Sequence, residues 1–363
     1  MRKCLVIFMF FLIMGCAPQS PVKIGYLGGL TGSIADLGIS GRNGASVAVL
    51  DVNASGGING HPVELVIRDD KQNTERCIEA AKELIDQKVI AVVGPMTSDM
   101  SIAALPLFEK ARVPIVSPTA STPLLTGLDD YFLRVNPPDD SEASTLAAYV
   151  SKLQDVKKII ALFTEGNLSF TQGLYMKFVS ELNKLGSWDI SKKFYSSEGP
   201  IDYGGIINSV MTQKPDVLFF IATSLDTAQF CQQIKKQGFS PFLIGTGWAM
   251  TDDLIAHGGR SVDGIVFSHY HNNQSELPKY LAFRKKYYEV FKSEPDFIAA
   301  LGYNALMVIA ESARQKGMEN MKRAILELGS FQGLQGPLTL DKYGDAELSR
   351  HYISIKDGQF IDL

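Results

Sequence analysis

Four cysteines, five histidines and two tryptophans in 363 residues exclude several kinds of chemistry at the outset. Cys4 and Cys16 fall in an apolar N-terminal leader. The remaining two, Cys77 and Cys231, lie far apart, each within a stretch of helical periodicity. That pattern is not a disulfide scaffold, and a core of this size does not need covalent staples. The only closely spaced histidines are His269 and His271 in "HYH", on one face of a predicted strand. No third Cys, His or carboxylate stands at metal-ligand spacing from them, so surface or hinge histidines are the simpler reading. Neither G-x-S-x-G nor H-E-x-x-H occurs, and scattered histidines give no signal for a nucleophile triad. No basic block is present and the net charge is −4, which argues against nucleic acid as a partner. A glycine-rich stretch, "GYLGGLTGS" (25–33), follows a strand, but its glycines at 25, 28, 29 and 32 do not fit G-x-G-x-x-G, and a P-loop lysine is missing. We therefore expect no cofactor, no metal and no catalysis.

What is present begins with "MRKCLVIFMFFLIMGC": two basic residues, a short apolar run, and a small residue before cysteine. This reads as a secretory signal over residues 1–16, too short for a membrane-spanning helix. Ile13-Met14-Gly15-Cys16 resembles the bacterial lipobox, which implies lipidation of Cys16, with 17–21 as a tether. The alternative is a plain secreted chain in which Cys16 is incidental.

Beyond residue 22, β-type runs alternate with amphipathic stretches. Strands are expected at 22–27, 62–69, 89–94, 113–118 and 131–135. Helices are expected near 40–53, 74–87 and 98–110. A second series follows, with a helix from Ser141, strands at 157–164, 189–195, 216–222 and 242–247, and helices at 170–185 and 225–237. The near-continuous apolar strands imply parallel sheets covered on both faces. The expected fold is α/β, with two doubly wound Rossmann-like lobes. "DGIVFSHYH" (263–271) reads as a crossover strand, helices return near 279–292, 297–315 and 319–328, and the chain ends in a β-hairpin-like tail with an Asp-Gly turn.

In open parallel sheets, ligands bind beyond the carboxyl ends of the strands. "GPMTSD" (94–99) and "SPTAST" (117–122) are two such ends, rich in uncharged hydroxyls. Ser98 is expected to open a helix as its N-cap. Hydroxyls and free N–H groups there suit an anion such as a carboxylate. Equally, these serines can be caps that satisfy only their own helices.

Four stretches, "IGYLGGLTGSIADLG", "DVNASGGINGHPVELVIRDD", "VVGPMTSDMSIAALPLFEKARVPIVSPTASTPLL" and "GYNALMVIAESARQKG", followed by "GPLTLDKYGD", resemble the branched-chain amino-acid-binding family. These are the type I periplasmic solute-binding proteins of ABC transporters, and the resemblance spans about 22–358. It implies three hinge crossovers, near 138, 270 and 336. Lobe 1 would comprise 22–138 with 271–335, and lobe 2 139–270 with 336–363. It also implies a ligand carboxylate held by Ser98 and Ser121, with backbone groups near Thr97 and Thr119. Asp139 falls on a family aspartate close to the first hinge, and Phe170 on an aromatic that closes over the ligand. The family's acid for the ligand ammonium falls at Thr246, where no acid stands, with Trp248 close by. Thr223 replaces another expected aromatic, and Asp226 is a candidate for supplying the missing charge. The family's first-lobe disulfide positions are Gln72 and Thr97 here. The expected protein is an exported, monomeric, lipid-anchored component of an ABC importer in the periplasm or cell envelope. It would bind an amino acid or related small carboxylate and deliver it to a membrane permease. A ligand-sensing receptor of the same fold is the alternative.

Overall fold

The computed structural model describes residues 19–32, 34–196, 199–272 and 274–363; the leader and Cys16 lie outside them. The first series is β1 (Val22–Gly28), α1 (Ala35–Ala54), β2 (Val63–Asp69), α2 (Thr74–Asp86), β3 (Val92–Val93), α3 (Ser98–Ala111), β4 (Ile115–Ser117) and β5 (Phe132–Arg134). Its strands pair in parallel in the order β2-β1-β3-β4-β5. The second series is α4 (Asp139–Val150), β6 (Lys158–Thr164), α5 (Leu168–Leu185), β7 (Asp189–Tyr195), α6 (Tyr203–Met211), β8 (Val217–Ile221), α7 (Ser224–Lys236), β9 (Phe242–Gly245), α8 (Asp252–Gly258) and β10 (Val266–His269). The chain then adds α9 (Pro278–Phe291), α10 (Phe297–Lys316), α11 (Met321–Leu328), β11 (Ser330–Gly333), β12 (Gly336–Leu340), β13 (Ala346–Glu347), β14 (His351–Lys356) and β15 (Gln359–Asp362).

Each lobe carries apolar clusters on both faces of its sheet, as the uninterrupted apolar strands require. All five residues of β8, for example, are buried. Helices α9 and α10 return to the first lobe, where α10 packs on α1. Glycine makes that contact possible: a Cβ at Gly44 would lie 1.8 Å from the Ala299 carbonyl oxygen, and one at Gly302 2.1 Å from that of Gly41. The two helices therefore meet backbone to backbone.

The second sheet has the order β15-β14-β10-β9-β8-β6-β7. β14 joins it antiparallel to β10 and turns back into β15 through Asp357-Gly358, both at positive φ, as a two-residue hairpin of primed type demands. The return near 336 differs from expectation. β12 pairs with β11 and β13 in a separate three-stranded sheet, and Leu338, Leu340 and Ala346 pack into the first-lobe core. The chain rejoins the second sheet only at His351. The apolar alternation of "GPLTL" fits a sheet without saying which one.

Two helices escape the sequence reading. α6 opens on Gly204-Gly205, which lowers its intrinsic propensity, and α8 spans only 7 residues, too few to establish a period. α4 also begins earlier than expected, at Asp139, directly after Pro138. Cys77 and Cys231 are both buried free thiols, on α2 and α7 of different lobes.

Candidate functional site

Between the lobes lies a narrow cleft lined from both sides. The carboxyl ends of β3 and β4 supply its first-lobe wall, through Met96, Ser98, Thr119 and Ser121. Phe170 of α5 and Trp248 close it from the second lobe, their rings edge to face with centroids 5.4 Å apart. Leu37 and Phe297 complete the apolar surface. The lobes touch at the cleft edge. The Asp99 N–H donates to Asn167 Oδ1 at 3.3 Å, the Ser169 N–H to Asp99 Oδ1 at 3.0 Å, and the Thr122 hydroxyl to the Ser169 carbonyl at 2.9 Å.

The hydroxyls divide into two kinds. Ser117 is spent locally, donating to the Pro95 carbonyl at 2.6 Å and accepting from the Ala120 N–H. Thr119 donates to the Met96 carbonyl, while its own carbonyl accepts from Asn136 Nδ2 at 2.9 Å. Thr122 accepts from the Leu124 N–H within its own turn. Ser98 is different. The N-cap of α3 is Thr97, not Ser98 as expected, and Ser98 is the first helical residue. Its Oγ accepts from the Thr122 N–H at 3.3 Å, which leaves its own O–H to donate into the cleft it lines. Ser121 also lines the cleft, with its hydroxyl beside the Asp139 carboxyl. Ser117 and Thr122 are thus committed to protein partners, Ser98 keeps its O–H for the cleft, and Ser121 stands between the cleft and the Asp139 carboxyl.

Several expected site residues stand outside this cleft. Thr97 turns away to donate to Gln72 Oε1 at 3.1 Å, a hydrogen bond at the two positions where the resemblance placed a disulfide. Asp139 is fully buried behind Ser121 and does not line the cleft. Burial first, and then the neighbouring Glu142 carboxylate, push its carboxyl up to about 7. Thr246 is buried at the end of β9; the next two residues, Gly247 and Trp248, reach the cleft instead. Thr223 caps α7, accepting from the Asp226 N–H at 3.2 Å. Asp226 cannot supply a charge to the cleft, because both its oxygens are engaged by Tyr195 and Tyr203 hydroxyls at 2.8 and 2.7 Å.

Sequence reasoning missed the charged groups that do line the cleft, Glu142 and Arg350. Glu142, one turn along α4 from Asp139, accepts from the Gly247 N–H at 2.6 Å and faces Arg350 Nη1 at 3.4 Å. Their side chains are 5% and 3% exposed. Burial raises the Glu142 carboxyl above its ordinary range, and the Arg350 guanidinium and the Gly247 N–H pull it back. Glu142 sat among helix-opening acids in "PPDDSEAS", where a solvated carboxylate is the default, so nothing local marked it. His269, doubtful as a metal ligand, is a cleft residue. Its Nδ1 accepts from the His271 N–H at 3.0 Å, which assigns the ring proton to Nε2. Burial first, then the Arg350 charge, hold its pKa well below the ordinary value, so the ring is neutral. Tyr270 donates to Asn136 Oδ1 at 2.6 Å across the hinge.

Such a cleft can bind an anion through hydroxyls and bury an apolar body against aromatic rings; among the described residues lining it there is no hydrogen-bonded nucleophile–base pair. A family model described as periplasmic binding protein matches residues 21–352. An amino acid binding protein of Pseudomonas aeruginosa is 26% identical over 366 residues, covering 97% of this chain and 95% of that one. Leu/Ile/Val-binding protein homolog 3 of Brucella melitensis is 27% identical over 256 residues, 69% of this chain and 68% of its own. Among solved structures, the leucine binding protein LivK of Thermotoga maritima superposes with a TM-score of 0.84 at 27% identity, covering 94% of this chain and 97% of that one. An ABC transporter solute binding protein of R. palustris in complex with benzoate has the same TM-score, 0.84, at 18% identity and covers 95% and 96%, a likeness of fold alone.

Proposed function

We propose that this chain, which belongs to the periplasmic binding protein family and is not an enzyme, is the exported solute receptor of an ABC importer and captures a small carboxylate between its lobes. The observation that carries this reading is the cleft itself: two serine hydroxyls on one lobe face aromatic side chains on the other. Hydrogen bonds to the carboxylate fix orientation, and burial of the ligand's apolar body supplies most of the affinity. The crossovers after β5 and β10 and before β14 are thin connections around the cleft, suited to hinge opening and closing on ligand. The closed arrangement would then be what a membrane permease engages.

The test is a thermal-shift panel of small carboxylates on purified, ligand-stripped protein. A true ligand at 100 times its Kd stabilises by about 2.7 kcal/mol. Native mass spectrometry of the unstripped protein should reveal the same class of compound. No stabilisation by any carboxylate, amino acid or otherwise, would remove the reading.

Cys16 we take as the lipidation site and a strong membrane anchor, on the strength of the leader pattern. Cys16→Ala is expected to move the protein from the membrane to the soluble fraction. Unchanged membrane association of that variant would count against the anchor.

A further inference from the structure

The second-lobe wall of the cleft carries information on the ligand that the hydroxyls do not. An amino-acid ligand brings an ammonium, whose buried charge is best compensated by a carboxylate that is not already paired. Glu142 is the only acid among the described residues lining the cleft, and its partners are already inside the protein. One oxygen receives the Gly247 N–H and the other faces Arg350. Arg350 is not a mobile arm. Its Nε donates to Ser141 Oγ at 2.9 Å, its Nη1 donates to the Ser268 carbonyl at 3.1 Å, and its guanidinium lies 5.4 Å from the Tyr270 ring centroid. No other acid can enter from the strand end. A Cβ at Gly247 would lie 2.4 Å from His269 Cδ2 and 3.6 Å from Glu142 Oε1, so the space a carboxylate there would use is already filled.

We propose that Arg350 serves Glu142 as the counter-cation that an amino-acid ligand would otherwise bring, and that the cleft selects carboxylic acids without an α-ammonium, of aromatic or branched aliphatic body. This rests on the small-carboxylate reading above. An ammonium approaching Glu142 would meet the guanidinium across a few ångströms of water-poor space, where like charges repel strongly. His269 adds to the discrimination, since its Nε2–H is a donor and cannot accept from an ammonium. A ligand carboxylate faces no such penalty, and an apolar body meets Phe170, Trp248 and Phe297. The inference holds whether Glu142 is ionised or protonated, because protonation leaves the arginine charge uncompensated and disfavours an ammonium further.

Calorimetry with matched pairs tests it: leucine against 4-methylpentanoate, and phenylalanine against 3-phenylpropanoate. The parent protein is expected to bind the member lacking the amino group at least tenfold more tightly in at least one pair. Arg350→Gln is expected to narrow that gap at least tenfold, with the amino acid gaining as Glu142 is released. An amino acid that binds the parent as well as, or better than, its partner in every pair where binding occurs overturns the selectivity and leaves the carboxylate reading standing. Should neither member of any pair bind, and the wider panel also fail, both readings fall together. A preserved gap in a folded Arg350→Gln protein overturns the part assigned to Arg350. The parent comparison decides the ligand class even where that variant does not fold.

Discussion

Ser121→Ala is expected to weaken binding of the cognate carboxylate by about 10- to 150-fold. A hydrogen bond to a charged group contributes roughly 1.5–3 kcal/mol, and each 1.4 kcal/mol is about tenfold in Kd. Ser121 lines the cleft, with its hydroxyl between the ligand space and the buried Asp139 carboxyl. Ser98→Ala should do similar damage, with a smaller cost in stability, because its Oγ also accepts from the Thr122 N–H. The two losses should not add, since both hydroxyls act on one carboxylate. Ser117→Ala is the internal control. Its hydroxyl is committed to the Pro95 carbonyl, so the change should cost stability and leave affinity nearly untouched. Isothermal titration on the folded fraction separates these outcomes. Parent-like affinity in both the Ser98 and Ser121 variants would refute the cradle.

The largest expected loss of stability lies beneath that cradle. Arg134 on β5 is wholly buried, and its Nε pairs with Asp345 at 2.6 Å. Its other nitrogens hold the hydroxyl loop in place, Nη1 on the Thr122 carbonyl at 3.1 Å and Nη2 on the Thr126 hydroxyl at 2.8 Å. Asp345→Ala leaves the buried guanidinium without its counter-charge and also removes the acceptor of the Gly127 N–H. Breaking a buried pair in this way costs about 3–5 kcal/mol. Urea unfolding should show the loss as a lowered midpoint, and binding should weaken as well because the loop after β4 loses its brace. Arg134→Met combined with Asp345→Leu should recover much of the stability, since no charge is then left unpaired. A loss below about 1 kcal/mol for Asp345→Ala would mean that water or another side chain reaches Arg134.

The Arg134–Asp345 pair also shows where sequence reading stops. The two residues are 211 apart in the chain, and they meet only because β12 and β13 pack onto the first lobe rather than the second. Nothing in "GPLTLDKYGD" states that destination, since a two-residue period defines a strand and a buried face but not the neighbour. The same holds for Glu142 and Arg350, which approach from α4 and from the residue before β14. The missing family acid was sought near Thr246 and Asp226. The carboxylate that reaches the cleft arrives instead from a helix whose opening acids looked like ordinary first-turn charges.

By itself the sequence determined the class of architecture, the order of most strands and helices, and the first-lobe hydroxyls. Those properties are local: apolar runs, period, turn residues and strand ends are written in consecutive residues. The position of Ser98 and Ser121 at the cleft was legible for the same reason, because a strand end in an open parallel sheet is also a place in space. Only the tertiary structure decided which hydroxyls remained free to donate and which were consumed by Pro95 and Met96. It also decided that Asp139 stands behind the cleft and that Arg350 answers Glu142 within it. Those outcomes depend on burial and on distances between segments far apart in sequence, and in a protein interior a charge's partner, more than its identity, sets what it can bind.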